Sequence, residues 1–247
     1  MSIHSAPMNR LQAEQRRLFL LPDSINDLTS PDGLVRALVL ELAQPAEWDK
    51  LTALWQGVQG DLGLPAPAIA VSGVDGYQLW FSLLEPVPLA DAHAFLEGLR
   101  QRYLADVPAR RVRILPLAPQ AGASPVPARL VPAEQEVSGR WSAFVAPELL
   151  TMFADDAWLD FTPNAEAQAD LLSRVQCIKP GDFQRVLAEL APPPAPALAP
   201  ATAPASASAA HNPRAPEQDP RRFLLAVMND ESVELRWRIE AAKALLG

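Results

Sequence analysis

From residue 34 onward the chain alternates apolar runs with helically spaced ones. LVRALVLELA (34–43) is an apolar run rich in Val and Leu and predicts a buried strand. Pro45 suits the first turn of a helix, and Trp48, Leu51, Leu54, Trp55 and Val58 then recur at helical spacing up to Gly60. AIAVS (68–72) predicts a second strand, Gly73 to Gly76 a turn, and YQLWFSL (77–83) a third strand. LADAHAFLEGLRQRYL (89–104) places Ala92, Phe95, Leu96, Leu99 and Tyr103 on one helical face, and RRVRILPL (110–117) predicts a fourth strand. The order is β-α-β-β-α-β.

That order predicts an α+β fold: a split βαββαβ unit of the ferredoxin or RRM kind, with a four-stranded antiparallel sheet and two helices on one face. Residues 8–18 predict a short preceding helix. The region 128–190 reads as mainly helical, with candidates at 146–154, 164–175 and 180–190 and with Asp182 or Asn164 as helix caps. In 191–216, 19 of 26 residues are Ala or Pro, which predicts an extended linker with nothing to bury. The expected organisation is an α+β domain (1–130), a helical extension packed on it (131–190), a disordered linker (191–216) and a C-terminal helical hairpin (217–247). In the hairpin, Phe223, Leu224 and Val227 form one apolar stripe. Leu235, Trp237 and Ile239 mark the second helix. Two short helices bury too little to fold well alone, so this segment is expected to dock on a protein partner or on the body.

Alternation along the strands sharpens the picture. Gln78, Trp80 and Ser82 face one way, and Tyr77, Leu79 and Phe81 the other. On the first strand, Val35, Ala37, Val39 and Glu41 oppose Arg36, Leu38, Leu40 and Leu42. Both faces are largely apolar, so the face opposite the two helices is expected to be covered, by 128–190 or by the tail.

Charge and composition narrow the classes of function. The net charge of −8 argues against a polyanion binder that works by bulk charge, though it leaves room for a local basic patch. Arg110, Arg111 and Arg113 are that patch, with Arg100 and Arg102 nearby. The single cysteine, Cys177, excludes an intramolecular disulfide and a cysteine-cluster zinc site, and reads as a small core residue. With no signal-like segment and no long apolar run, a cytoplasmic protein that does not enter a membrane is expected. No His, Cys or carboxylate cluster has metal-ligand spacing; His93 reads as a helix-surface residue, and Asp155, Asp156 and Asp160 around Trp158 as an acidic-aromatic patch.

The stretch from Ala70 to Pro88 carries a more specific signal. Ser72, Gly73, Gly76, Tyr77, Trp80, Glu85 and Pro86 resemble the second motif region of the archaeo-eukaryotic primase superfamily, in the form found in plasmid- and phage-borne primase-polymerases. The likeness is close over about twenty residues and looser over 34–130. It implies a nucleotide-handling α+β domain of a mobile element with Ser72 near nucleic acid; the arginine cluster, read from charge alone, is a candidate phosphate contact or a set of partners for Asp106 and Glu97. It also marks where this chain departs from the pattern. The family's phosphate-contacting His falls at Gln78, and its Asp-x-Asp metal pair falls at Val39 and Glu41. A third family acid falls at Asp106. Hard divalent cations need several carboxylate oxygens, and Gln78 brings no positive charge to a phosphate. Glu41, Gln78 and Asp106 are therefore expected to be vestigial, with no metal and no cofactor.

Three functions follow from this reading. The first is a catalytically degenerate primase-like accessory factor that binds nucleic acid or protein. The second is an active nucleotidyltransferase using Mg²⁺ or Mn²⁺ at Glu41, Asp106 and a further acid. The third is a protein-interaction platform that binds no nucleic acid.

Overall fold

The computed structural model describes residues 8–21, 27–43, 48–117, 127–153 and 156–191. Contacts divide the chain between Pro194 and Ala195. The expected linker and hairpin, with Phe223, Leu224, Val227, Leu235, Trp237 and Ile239, lie outside the described residues.

The fold is α+β. A five-stranded antiparallel sheet has the order β4-β1-β3-β2-β5, built from β1 (Leu34–Ala43), β2 (Ala68–Val71), β3 (Gly76–Pro88), β4 (Val112–Leu115) and β5 (Ala143–Val145). Its helices are α1 (Arg10–Leu18), α2 (Trp48–Gly60), α3 (Leu89–Tyr103), α4 (Ala165–Ser173) and α5 (Pro180–Leu190). Most start where local chemistry places a start. Asn9 and Gln12 form a reciprocal capping box on α1, and the Asn164 side chain accepts from Ala167 N–H at the start of α4. Pro180 opens α5, so Asp182 lies within its first turn and Lys179, not Asp182, is the N-cap.

Two apolar layers sandwich the sheet. On one face Leu38, Leu40, Leu42, Tyr77, Leu79 and Phe81 pack with Leu51, Leu54 and Val58 of α2, Phe95, Leu96 and Leu99 of α3, and Phe183 and Val186 of α5. On the other, Ala37, Val39, Ala68, Ala70 and Trp80 pack with Leu11 and Leu18 of α1, with Phe19, and with Ala169 and Leu172 of α4. The second face is thus covered, and its cover includes the N-terminal helix as well as 128–190. Phe19, Trp80 and Phe144 hold that cover down: Trp80 meets both phenylalanines edge-on, with centroids at 5.0 and 6.0 Å, and the two phenylalanines stack at 5.9 Å.

Three expectations need correction. The sheet has a fifth strand, β5, paired to β2 inside the region read as mainly helical. Pro147–Phe153 is a 3-10 helix, not an α-helix. A register irregularity between Val35 and Ala37 also swaps the start of β1: Val35 joins the α2/α3 core, while the Arg36 guanidinium reaches the carbonyls of Arg17 and Leu20 at the end of α1, at 2.6 and 3.1 Å. A bulge shifts the side-chain period by one, and period counting cannot see it.

Candidate functional site

Glu41 and Gln78, two of the candidate residues, lie with Val39 on the α1/α4 side of the sheet. Register brings Glu41, Gln78 and Arg113 together. Glu41 of β1 stands opposite Gln78 of β3 on one side and opposite Arg113 of β4 on the other. Glu41 is only 4% exposed. Its Oε1 receives Arg113 Nη2–H at 2.8 Å, and its Oε2 receives the Gln78 amide at 2.8 Å. Gln78 Oε1 in turn accepts from the Trp80 indole N–H at 2.9 Å. A continuous chain of bonds thus runs Trp80–Gln78–Glu41–Arg113, and each polar group in it has its partner. A buried carboxylate is tolerable only under such pairing.

Arg113 is half exposed and reaches a second acid as well. Its Nη2 lies 3.4 Å from Asp75 Oδ1, on the turn before β3. One guanidinium therefore stands between two carboxylates, and any cation approaching Glu41 would have to displace it. The sequence reading passed over Asp75; its signal was the turn position directly before a strand that pairs with β1.

Ser72 organises that same turn. Its Oγ accepts from the N–H groups of Val74, Asp75 and Gly76 at 3.2, 3.2 and 3.0 Å. Gly73 has φ +79°, and a Cβ there would come within 2.8 Å of Ser142 N. Gln135 clamps the loop from outside by donating to Ser72 O at 3.1 Å.

Val39 is fully buried against Trp80 and the α1/α4 layer. Asp106 does not join Glu41: it lies in the loop after α3 and pairs with Lys50 of α2. That hydrogen bond holds the Asp106 carboxyl below its ordinary range. Among the described residues, no three His, Cys, Asp or Glu side chains gather in a way that could hold a metal ion.

Carboxylates hold much of the basic cluster and its neighbours. Arg100 grips Glu97 at two points, 2.7 and 2.6 Å, and Arg102 reaches Glu189 at 2.6 Å. Arg111 donates to the Ala43 carbonyl at 3.4 Å, and Arg110 is exposed on the 3-10 turn Ala109–Arg111. His93 contacts the Pro116 carbonyl. Cys177 is half-buried, with Sγ 3.0 Å from Ser82 Oγ. Trp158 carries the Arg140 guanidinium over its ring at 3.6 Å, so the acidic-aromatic segment already holds a cation from its own chain.

No protein-family model matches the chain, and comparison with curated proteins finds no match. No helix among the described residues is long and apolar enough to cross a membrane.

Proposed function

We propose that this chain is a primase-like domain that has given up nucleotidyl transfer and acts as a protein-binding accessory factor of a mobile element's nucleic-acid machinery. One observation carries the reading: both carboxylate oxygens of Glu41 are taken, by Arg113 and by Gln78, on a sheet face roofed by α1 and α4. A metal-dependent transferase keeps its carboxylates open to cation and triphosphate. Here Glu41 and Gln78 are bonded to each other, Val39 is packed in apolar surroundings, and Asp106 is paired with Lys50. The strand order β4-β1-β3-β2 and the element order support the split βαββαβ reading, with β5 as an addition to its edge.

Protein binding is favoured over nucleic-acid binding by the arginines. Arg100, Arg102 and Arg113 are committed to carboxylates of the chain itself. A backbone-phosphate interface needs several uncommitted cations on one face.

Primer extension on the full chain, with Mg²⁺ or Mn²⁺ and labelled nucleotides, tests the reading. The expected result is no incorporation above background, identical in Glu41→Ala. Metal-dependent incorporation that Glu41→Ala abolishes would overturn it.

A further inference from the structure

We infer that the hollow where β2, β5 and the end of α4 meet is a binding site for a free aromatic α-amino acid. The inference goes beyond the primase-like reading, since Glu41, Gln78 and Arg113 line no part of it. Its floor joins the two apolar layers: Ala68 and Phe144 belong to one, Ile69 and Val145 to the other. The hollow measures about 200 Å³. A second one, of about 300 Å³, adjoins it, and Trp55, Ile69, Pro147 and Glu148 line both. Together they are of the size that takes a small molecule. The wall they share is set in advance: Trp55 Nε1–H donates to the Pro67 carbonyl at 3.1 Å.

Two charges set the chemistry of the occupant. Glu148 and Arg174 both line the first hollow, and both are exposed. Neither side chain makes a hydrogen bond or an ion pair among the described residues, with the other or with a third group. Elsewhere the chain pairs its arginines: Arg10, Arg17, Arg100, Arg102, Arg113 and Arg185 each hold a carboxylate. Opposite charges left apart on one apolar hollow are matched by a ligand that carries both signs close together. A free α-amino acid does so. Its carboxylate takes the Arg174 guanidinium, and its ammonium takes the Glu148 carboxylate. A metal ion or a phosphate would satisfy only one of the two.

The second hollow selects the side chain. Trp48, Thr52 and Trp55 of α2 line it. Thr52 Oγ1 is buried and has no hydrogen-bond partner among the described residues. A buried hydroxyl left unpaired is costly, and a ligand that reaches it recovers the loss. An aromatic ring with a polar tip, such as the phenol of tyrosine, answers both features: the ring lies among the indoles and the tip meets the hydroxyl.

Isothermal titration of the full chain with L-tyrosine, L-phenylalanine and N-acetyl-L-tyrosinamide tests the assignment. Tyrosine should bind, and the blocked amide, which carries neither charge, should bind at least about tenfold more weakly. Arg174→Gln and Glu148→Gln should each weaken tyrosine about tenfold, the loss of one charge-assisted bond. Thr52→Val, which keeps the shape, should remove the preference for tyrosine over phenylalanine. Circular dichroism of the two charge variants should match the parent, because both side chains are exposed. No binding of tyrosine up to its solubility limit, equal binding of the blocked amide, or full affinity in either charge variant overturns the inference. So does a preference for tyrosine that survives in Thr52→Val. Primer extension reads a different set of residues, and its outcome leaves this inference where it stands.

Discussion

The side-chain amide of Gln168 holds both backbone groups of Phe144. Phe144 N–H donates to Gln168 Oε1 at 2.7 Å, and Gln168 Nε2 donates to Phe144 C=O at 2.9 Å. The amide of an α4 residue thus stands where the next strand would pair, and it closes the β5 edge of the sheet. Gln168 is itself only 5% exposed. The β5 end of the sheet is thus plugged by its own chain.

Gln168→Leu removes both bonds and strands two buried backbone groups. We expect a loss of roughly 2–4 kcal/mol, since each orphaned group costs about 1–3 kcal/mol. Urea unfolding should show a lower midpoint at unchanged slope. A change within about 0.5 kcal/mol would show that the edge does not depend on this plug.

Under the proposed primase-like reading, Val39→Asp tests whether this face is closed packing or an open cleft. Val39 is fully buried in the layer that includes Trp80, Leu18 and Phe19. An unpaired carboxylate there should cost about 3–5 kcal/mol or prevent folding. An open active site would accept it nearly unchanged. Thermal unfolding monitored by near-UV circular dichroism distinguishes the two, and Val39→Ala is the control that adds no charge.

Glu97 and Arg100 make a pH prediction on α3. The hydrogen bond from Arg100, opposed by partial burial, holds the Glu97 carboxyl below its ordinary range. A carboxyl with a depressed folded-state pKa adds stability above its unfolded value, and that stability is lost as pH falls through the folded value. Because Glu97 is 40% exposed, the contribution is screened to well under about 1 kcal/mol. Carbon-detected NMR titration should place Glu97 below an ordinary Glu, and Arg100→Ala should return it upward.

Gly98→Ala tests how closely α3 and α5 approach. A Cβ on Gly98 would lie 2.6 Å from Leu190 Cβ. Alanine raises helix propensity by about 1 kcal/mol. The clash at the end of α5 should outweigh that gain and leave the variant about 1–2 kcal/mol less stable. A stabilised variant, measured by chemical unfolding, would mean that α5 shifts freely at this end.

Much of the fold could be read along the chain, because strand and helix periods are local. LVRALVLELA is a strand from its Val and Leu run, and β1 spans that same decapeptide. The facing of Trp80 against Tyr77, Leu79 and Phe81 followed from alternation and holds in both cores. β5 left no such trace: three residues are too few to display a period, and its strand neighbour β2 lies more than 70 positions away. The covering role of α1 was hidden for a similar reason. Its apolar stripe records that one face is buried, not what buries it.

The candidate site divides along the same line. Sequence by itself determined the residue types at positions 39, 41 and 78: a valine, a glutamate and an amide. Tertiary structure alone decided their partners. Antiparallel register set Arg113 and Gln78 on either side of Glu41, a turn brought Asp75 to the same guanidinium, and Asp106 went to Lys50 instead. The periods that write strands and helices into a chain act over a few residues, whereas the pairing of a buried charge is settled by which strands become neighbours in the sheet.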